Sequence, residues 1–96
     1  MKTITLRILT PEGLVLEEPA SSIIAPGEPG YLGMLANHAP LVTTLKPGRI
    51  TWRRSDGSRQ RVTVGSGLLD ISHNRCTVLA DAVSVPAPVS ESRGAI

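Results

Sequence analysis

Turn-forming sequence interrupts this chain about every 6 to 12 residues, and that spacing limits what it can fold into. The interruptions are Thr10-Pro11-Glu12-Gly13, Pro26-Gly27-Glu28-Pro29-Gly30, Lys46-Pro47-Gly48, Asp56-Gly57, Gly65-Ser66-Gly67 and His73-Asn74-Arg75. Between them, no segment before residue 82 sustains an apolar repeat of about 3.6 residues over some ten positions. Helices need that length and strands do not, so the fold class is all-β.

Several of the short segments alternate as strands do. Ile4, Leu6 and Ile8 fall on one face of a pleat, with Thr3, Thr5 and Arg7 on the other. Pro11 presets φ and Gly13 accepts positive φ, so a hairpin into Leu14 to Glu18 is expected. Ile50, Trp52, Val62 and Val64 alternate on either side of Asp56-Gly57, a favoured tight-turn pair, and should face the core. The two prolines of Pro26 to Gly30 predict a shaped loop, and Gly65-Ser66-Gly67 predicts a bulge or a close backbone approach. Hydrophobic residues make up 41% of the 96, yet there is no Phe, one Trp and one Tyr, which favours a thin core of Val, Ile, Leu and Ala. Two sheets packed face to face bury such strands, with a small barrel as the alternative. The expected organisation is one domain over residues 1–83 and an irregular tail over 84–96, where Pro86 and Pro88 interrupt any ladder.

Catalytic and metal chemistry find little support. Cys76 is the lone cysteine, and His38 and His73 lie in separate turns without ligand spacing, so no metal site is expected. Ser66 lacks a nucleophile elbow, Asp70 and Asp81 read as surface acids, and the glycine-rich Pro26 to Gly33 lacks the Gly-Lys-Ser/Thr ending of a phosphate loop. No catalytic residue and no cofactor are assigned. No apolar run reaches the roughly 18 residues that span a bilayer, and Met1 to Leu9 lacks a signal-peptide pattern, so no direct membrane insertion is expected. Charge is uneven: Lys46, Arg49, Arg53, Arg54, Arg59 and Arg61 face Asp56 alone, which reads as a solvated hairpin or a surface for an acidic partner. Nucleic-acid binding through Arg49 to Arg61 is the alternative function, weakened by the lack of aromatic platforms.

Longer blocks carry a family resemblance. Pro26-Gly27-Glu28-Pro29-Gly30-Tyr31-Leu32-Gly33-Met34-Leu35 and Asn37-His38-Ala39-Pro40-Leu41-Val42-Thr43-Thr44-Leu45-Lys46-Pro47-Gly48 resemble signature blocks of the epsilon subunit of F-type ATP synthase. Leu9 to Gly13, Gly65 to Ser72 and Asn74 to Asp81 are similar too, in the same order and spacing. The resemblance implies a ten-stranded sandwich of two five-stranded sheets. It also implies a non-catalytic subunit of the central stalk, present in one copy and peripheral to the cytoplasmic face of the inner (plasma) membrane. Thr10, His38, Ala39, Pro40, Leu41, Val42 and Thr43 would lie against the gamma subunit. Glu28, Pro29, Gly30, Tyr31, Leu32 and Gly33 would meet the ring of c subunits. Tyr31 departs from the pattern, since many relatives carry an acid there. Relatives also continue into a two-helix inhibitory domain that the residues after Asp81 cannot form, so inhibition by such helices is not expected of this sequence.

Overall fold

Alternation in the first segment becomes the first hairpin. In the computed structural model, which describes residues 2–85, strand β1 (Ile4–Thr10) buries Ile4, Leu6 and Ile8 completely. It turns at Pro11-Glu12 into β2 (Gly13–Ala20), with Thr10 paired to Gly13. There follow β3 (Ser22–Gly27), β4 (Gly30–Met34), β5 (Leu41–Leu45), β6 (Gly48–Arg53), β7 (Arg59–Val64), β8 (Gly67–Ser72), β9 (Arg75–Ala80) and β10 (Val83–Ser84). The described residues are thus all-β, as their turn spacing implies, with the ten strands that the family resemblance implies.

Hydrogen bonding runs continuously in the order β10-β7-β6-β3-β5-β8-β9-β1-β2, with β4 on the other edge of β3. The path divides into two leaves: β10, β7, β6, β3 and β4 form the first, and β5, β8, β9, β1 and β2 the second. One residue pair, Gly27 with Leu45, joins them, supported by Lys46 N donating to Pro26 O at 2.8 Å. The sandwich and the barrel are therefore related descriptions here, because its two leaves share a hydrogen-bonded corner.

The inner faces form one apolar cluster, in which Ile23, Met34 and Ile50 of the first leaf join Leu6, Leu69, Ile71 and Val78 of the second. Cys76 Sγ lies 3.8 Å from Met34 Sδ across this interior. A second tie forms where β2 passes into β3. The Glu18 carboxylate accepts from the Trp52 indole N–H, from Arg54 Nε at 2.8 Å and from Arg54 Nη2 at 3.1 Å, and Ser21 N donates to Arg53 O at 2.7 Å.

Several local features differ from the alternation-based reading. Pro26 and Gly27 belong to β3 and Gly30 to β4, so the shaped loop shrinks to Glu28-Pro29. The β6–β7 connection is the five residues Arg54 to Ser58, in which Arg54 and Ser58 close a loop of Ser55, Asp56 and Gly57. Arg54 N donates to Ser58 O, Gly57 N donates to Arg54 O, and Gly57 takes φ 92°. Asp56-Gly57 is thus the end of a turn closed by a glycine at positive φ, and not a two-residue turn. β1 also pairs in parallel with β9, from Thr5 with Arg75 to Leu9 with Leu79, a non-local pairing that no hairpin signal announces. The close approach expected of Gly67 is present: a Cβ there would collide with the Leu79 carbonyl. β10 pairs Val83 with Val64 and Ser84 with Thr63, so the ladder passes the expected boundary by one residue. Of the expected tail, residues 86–96 lie outside the described residues.

Candidate interaction surfaces

The residues expected at the ring contact occupy the β3–β4 hairpin. Its tip is the turn Glu28-Pro29, closed by the pair Gly27 with Gly30, and Glu28 lies 3.8 Å from Lys46. Glu28, Pro29, Gly30 and Gly33 are exposed, whereas Leu32 packs partly against the core. Tyr31 is a strand residue 59% exposed, on the outer face of the first leaf, and its hydroxyl accepts from Arg49 N at 3.2 Å. An apolar ring held by a backbone bond presents a rigid surface, which suits Tyr to an interface.

The residues expected against gamma are distant in sequence but share the second leaf. Thr10 ends β1, and its hydroxyl accepts from Glu12 N at 3.2 Å and lies 3.0 Å from the Glu12 carboxylate, locking the turn. His38, Ala39 and Pro40 connect β4 to β5. His38 N donates to Leu35 O at 3.2 Å and His38 Nδ1 to Ala39 O at 2.6 Å. Leu41 packs partly on the core, opposite the buried Ile71, while Val42 is 66% exposed and Thr43 half-buried. Of this segment, Val42 is the large apolar side chain exposed to a partner, beside the smaller Ala39 and Pro40.

Between β5 and the β1–β2 hairpin lies a feature that alternation alone missed. Thr44 pairs with Leu68, Leu68 with Leu79, Leu79 with Leu9, and Leu9 with Leu14, which sets four leucines in one row across β8, β9, β1 and β2. Leu14, Leu68 and Leu79 are each about half exposed and Leu9 is half-buried. At about 4.8 Å per strand the row spans roughly 14 Å. The signal is present in the sequence: Ile8-Leu9, Leu68-Leu69 and Val78-Leu79 are apolar doublets in strands, and a strand that buries one member must show the other to the outside. A β-bulge between Ile8 and Leu9 accommodates Val15 beside this row.

Asn74 fixes the edge of the same leaf. Its Oδ1 accepts from Asn37 N at 2.8 Å and its Nδ2 donates to Thr3 O at 2.6 Å, tying the His38 segment and the start of β1 to the β8–β9 turn. Asn37, His73 and Asn74 all take positive φ, which Asn tolerates better than most residues. Among the described residues no three His, Cys, Asp or Glu side chains gather as metal ligands, and no helix is long and apolar enough to cross a membrane. Burial pushes the Cys76 thiol up to about 12, so the lone thiol is a core group without nucleophilic character at neutral pH.

Residues 3–86 match the family described as the ATP synthase delta/epsilon chain, β-sandwich domain. The chain belongs to this family. An ATP synthase epsilon chain of Moorella thermoacetica is 46% identical over 81 residues, which cover 84% of this chain and 60% of that protein. One from Latilactobacillus sakei is 34% identical over 94 residues, covering 96% and 65%. The chain thus spans a little under two-thirds of the length of these curated relatives. In a solved Euglena gracilis mitochondrial ATP synthase, described as OSCP/F1/c-ring, one chain superposes with a TM-score of 0.81 over 86% of this chain and 53% of its own, at 20% identity. At that identity the likeness establishes the fold of the family.

Proposed function

We propose that the chain is a non-catalytic central-stalk subunit of an F-type ATP synthase, docked by its second leaf on the gamma subunit and turning the β3–β4 tip towards the ring of c subunits. The observation that carries this reading is the leucine row. Its half-exposed side chains form a contiguous apolar surface in a family whose members work in a multisubunit machine. Removing the remaining water from each leucine contributes on the order of 1 kcal/mol. Thr10 and Val42 stand on either side of the row, so one docked partner covers both expected gamma segments. A sandwich with a close-packed interior resists shear, as a joint that transmits torque must. In this role the subunit couples ion translocation to ATP synthesis or hydrolysis from the membrane periphery, without a chemical step of its own.

Co-elution with the cognate gamma subunit tests the reading. The wild type is expected to bind, and Leu79→Asp, which charges the centre of the row without entering the core, is expected to lose binding while remaining folded at the assay temperature by circular dichroism. Equal binding by both proteins would contradict the assignment.

A further inference from the structure

The outer face of the first leaf has a different chemistry. Alternation on β6 and β7 buries Ile50, Trp52, Val62 and Val64 and sends Arg49, Thr51, Arg53, Arg59, Arg61 and Thr63 outward. Register places Arg53 directly opposite Arg59 and Thr51 opposite Arg61, so three guanidinium groups surround one threonine. β3 and β4 add Ser22, Ile24, Tyr31 and Gly33 to this face, and β10 adds Ser84. None of these outward positions is a carboxylate. The ion pairs among the described residues are Arg7–Glu17, Lys46–Glu28 and Arg54–Glu18, and none involves Arg49, Arg53, Arg59 or Arg61.

Like charges directly opposite on a sheet destabilise it, so the Arg53–Arg59 pair is a feature that the fold itself does not favour. Two depressions flank Thr51. A cleft of about 430 Å³ is lined by Tyr31, Gly48, Arg49, Thr51 and Thr63, and a smaller one of about 120 Å³ by Ser22, Ile24, Thr51, Trp52, Arg53 and Arg59. Each is lined by arginine and by hydroxyl-bearing side chains, donors that can receive a carboxylate in two-pronged contact.

We propose that this outer face is a second interaction surface, which receives a carboxylate-rich protein partner through Arg49, Arg53, Arg59 and Arg61. The composition favours protein over the other polyanions. Arg and Tyr with an apolar Ile and no Lys is the makeup of protein interface cores. Single-stranded nucleic acid wants successive stacking platforms, and on this face Trp52 is 4% exposed, which leaves the Tyr31 ring alone to stack a base. A lipid surface wants several large apolar side chains to insert, and only Ile24 and Tyr31 stand exposed among the arginines. The surface lies on the opposite leaf from the leucine row, so the inference stands independently of the gamma assignment.

A fluorescent deca-glutamate peptide serves as the probe, titrated with the full chain at low and physiological salt. Binding is expected to weaken with salt and to fall about tenfold in the Arg53→Gln/Arg59→Gln/Arg61→Gln variant. Arg75→Gln, which removes a charge from the second leaf, is expected to leave the affinity within about twofold. Arg59→Gln alone is expected to raise the melting temperature by about 2 °C, because it relieves the opposed pair. Equal loss in Arg75→Gln reduces the effect to net charge and overturns the proposal. So does tighter binding of a 20-nucleotide single strand or of phosphatidylserine vesicles through the same arginines. A lower melting temperature for Arg59→Gln assigns that residue to the fold and overturns it as well.

Discussion

Truncating Glu18 should open the seam between the leaves, and the size of the effect follows from one buried donor. Trp52 is 4% exposed, and its indole N–H has the Glu18 carboxylate as its partner. Glu18→Ala leaves that N–H of a nearly buried indole without its protein acceptor, which costs about 1–3 kcal/mol. For a domain of this size each kcal/mol moves the melting temperature by about 4–8 °C, so a loss near 2 kcal/mol lowers it by about 8–16 °C. Arg54 also bonds to Glu18, but its guanidinium touches water, so Arg54→Ala should lower the melting temperature much less. The bond from Arg54 is the main cause that holds the Glu18 carboxyl below its ordinary value of 4.5, against burial, which raises it; the Trp52 N–H adds to the lowering. A depressed carboxyl contributes stability that is present above its unfolded-state pKa and is lost as pH falls through the lower folded one. The gap between wild type and Glu18→Ala should therefore be constant from pH 7 to pH 5 and narrow below the ordinary value of 4.5. Thermal denaturation followed by circular dichroism reads all three quantities. A Glu18→Ala protein melting within about 2 °C of wild type at pH 7, or an Arg54→Ala protein as damaged as Glu18→Ala, would refute the reasoning.

Three further outcomes follow from single contacts. Gly67→Ala places a methyl group against the Leu79 carbonyl, and because backbone cannot rotate away, denaturant titration should show a loss of about 1–3 kcal/mol. Asn74→Gly keeps the left-handed backbone but drops the bonds to Asn37 and Thr3, while Asn74→Ala loses both; Ala should be the less stable by about 1 kcal/mol in the same titration. The Cys76 thiol, buried and pushed up to about 12, should resist a maleimide reagent at pH 8 and react fully in denaturant, as mass spectrometry would show.

How far the chain could be read before folding depended on whether one residue's neighbours in space were also its neighbours in sequence. Ile4, Leu6 and Ile8, and Ile50 with Trp52, Val62 and Val64, alternate strictly, and all are buried as their period requires. The parallel pairing of β1 with β9 was invisible, because it joins residues some 70 positions apart with no turn between them to mark it. Pro26 falls in a stretch whose prolines predict a loop, yet it lies within β3 opposite Tyr31, and its carbonyl receives Lys46 N where the leaves meet. The leucine row was hidden for a related reason: each apolar doublet says that one leucine points outward, but only the cross-strand register lines them up. Leu41 belongs to the block that the resemblance sets against gamma, and its side chain packs partly on the core while Val42 is exposed. Val42 is therefore the better position at which to place a charge. Asn74 escaped notice because its side chain acts on Asn37 and Thr3, contacts that no local pattern encodes.

Docking of gamma on the leucine row, as proposed above, is read residue by residue by hydroxyl-radical footprinting. Labelling of Leu14, Leu68, Leu79 and Val42 in the free chain should fall sharply once the cognate gamma subunit is bound, while Ile24, exposed on the other leaf, stays labelled. Unchanged labelling of the row in a complex that still co-elutes would place gamma elsewhere and contradict the account.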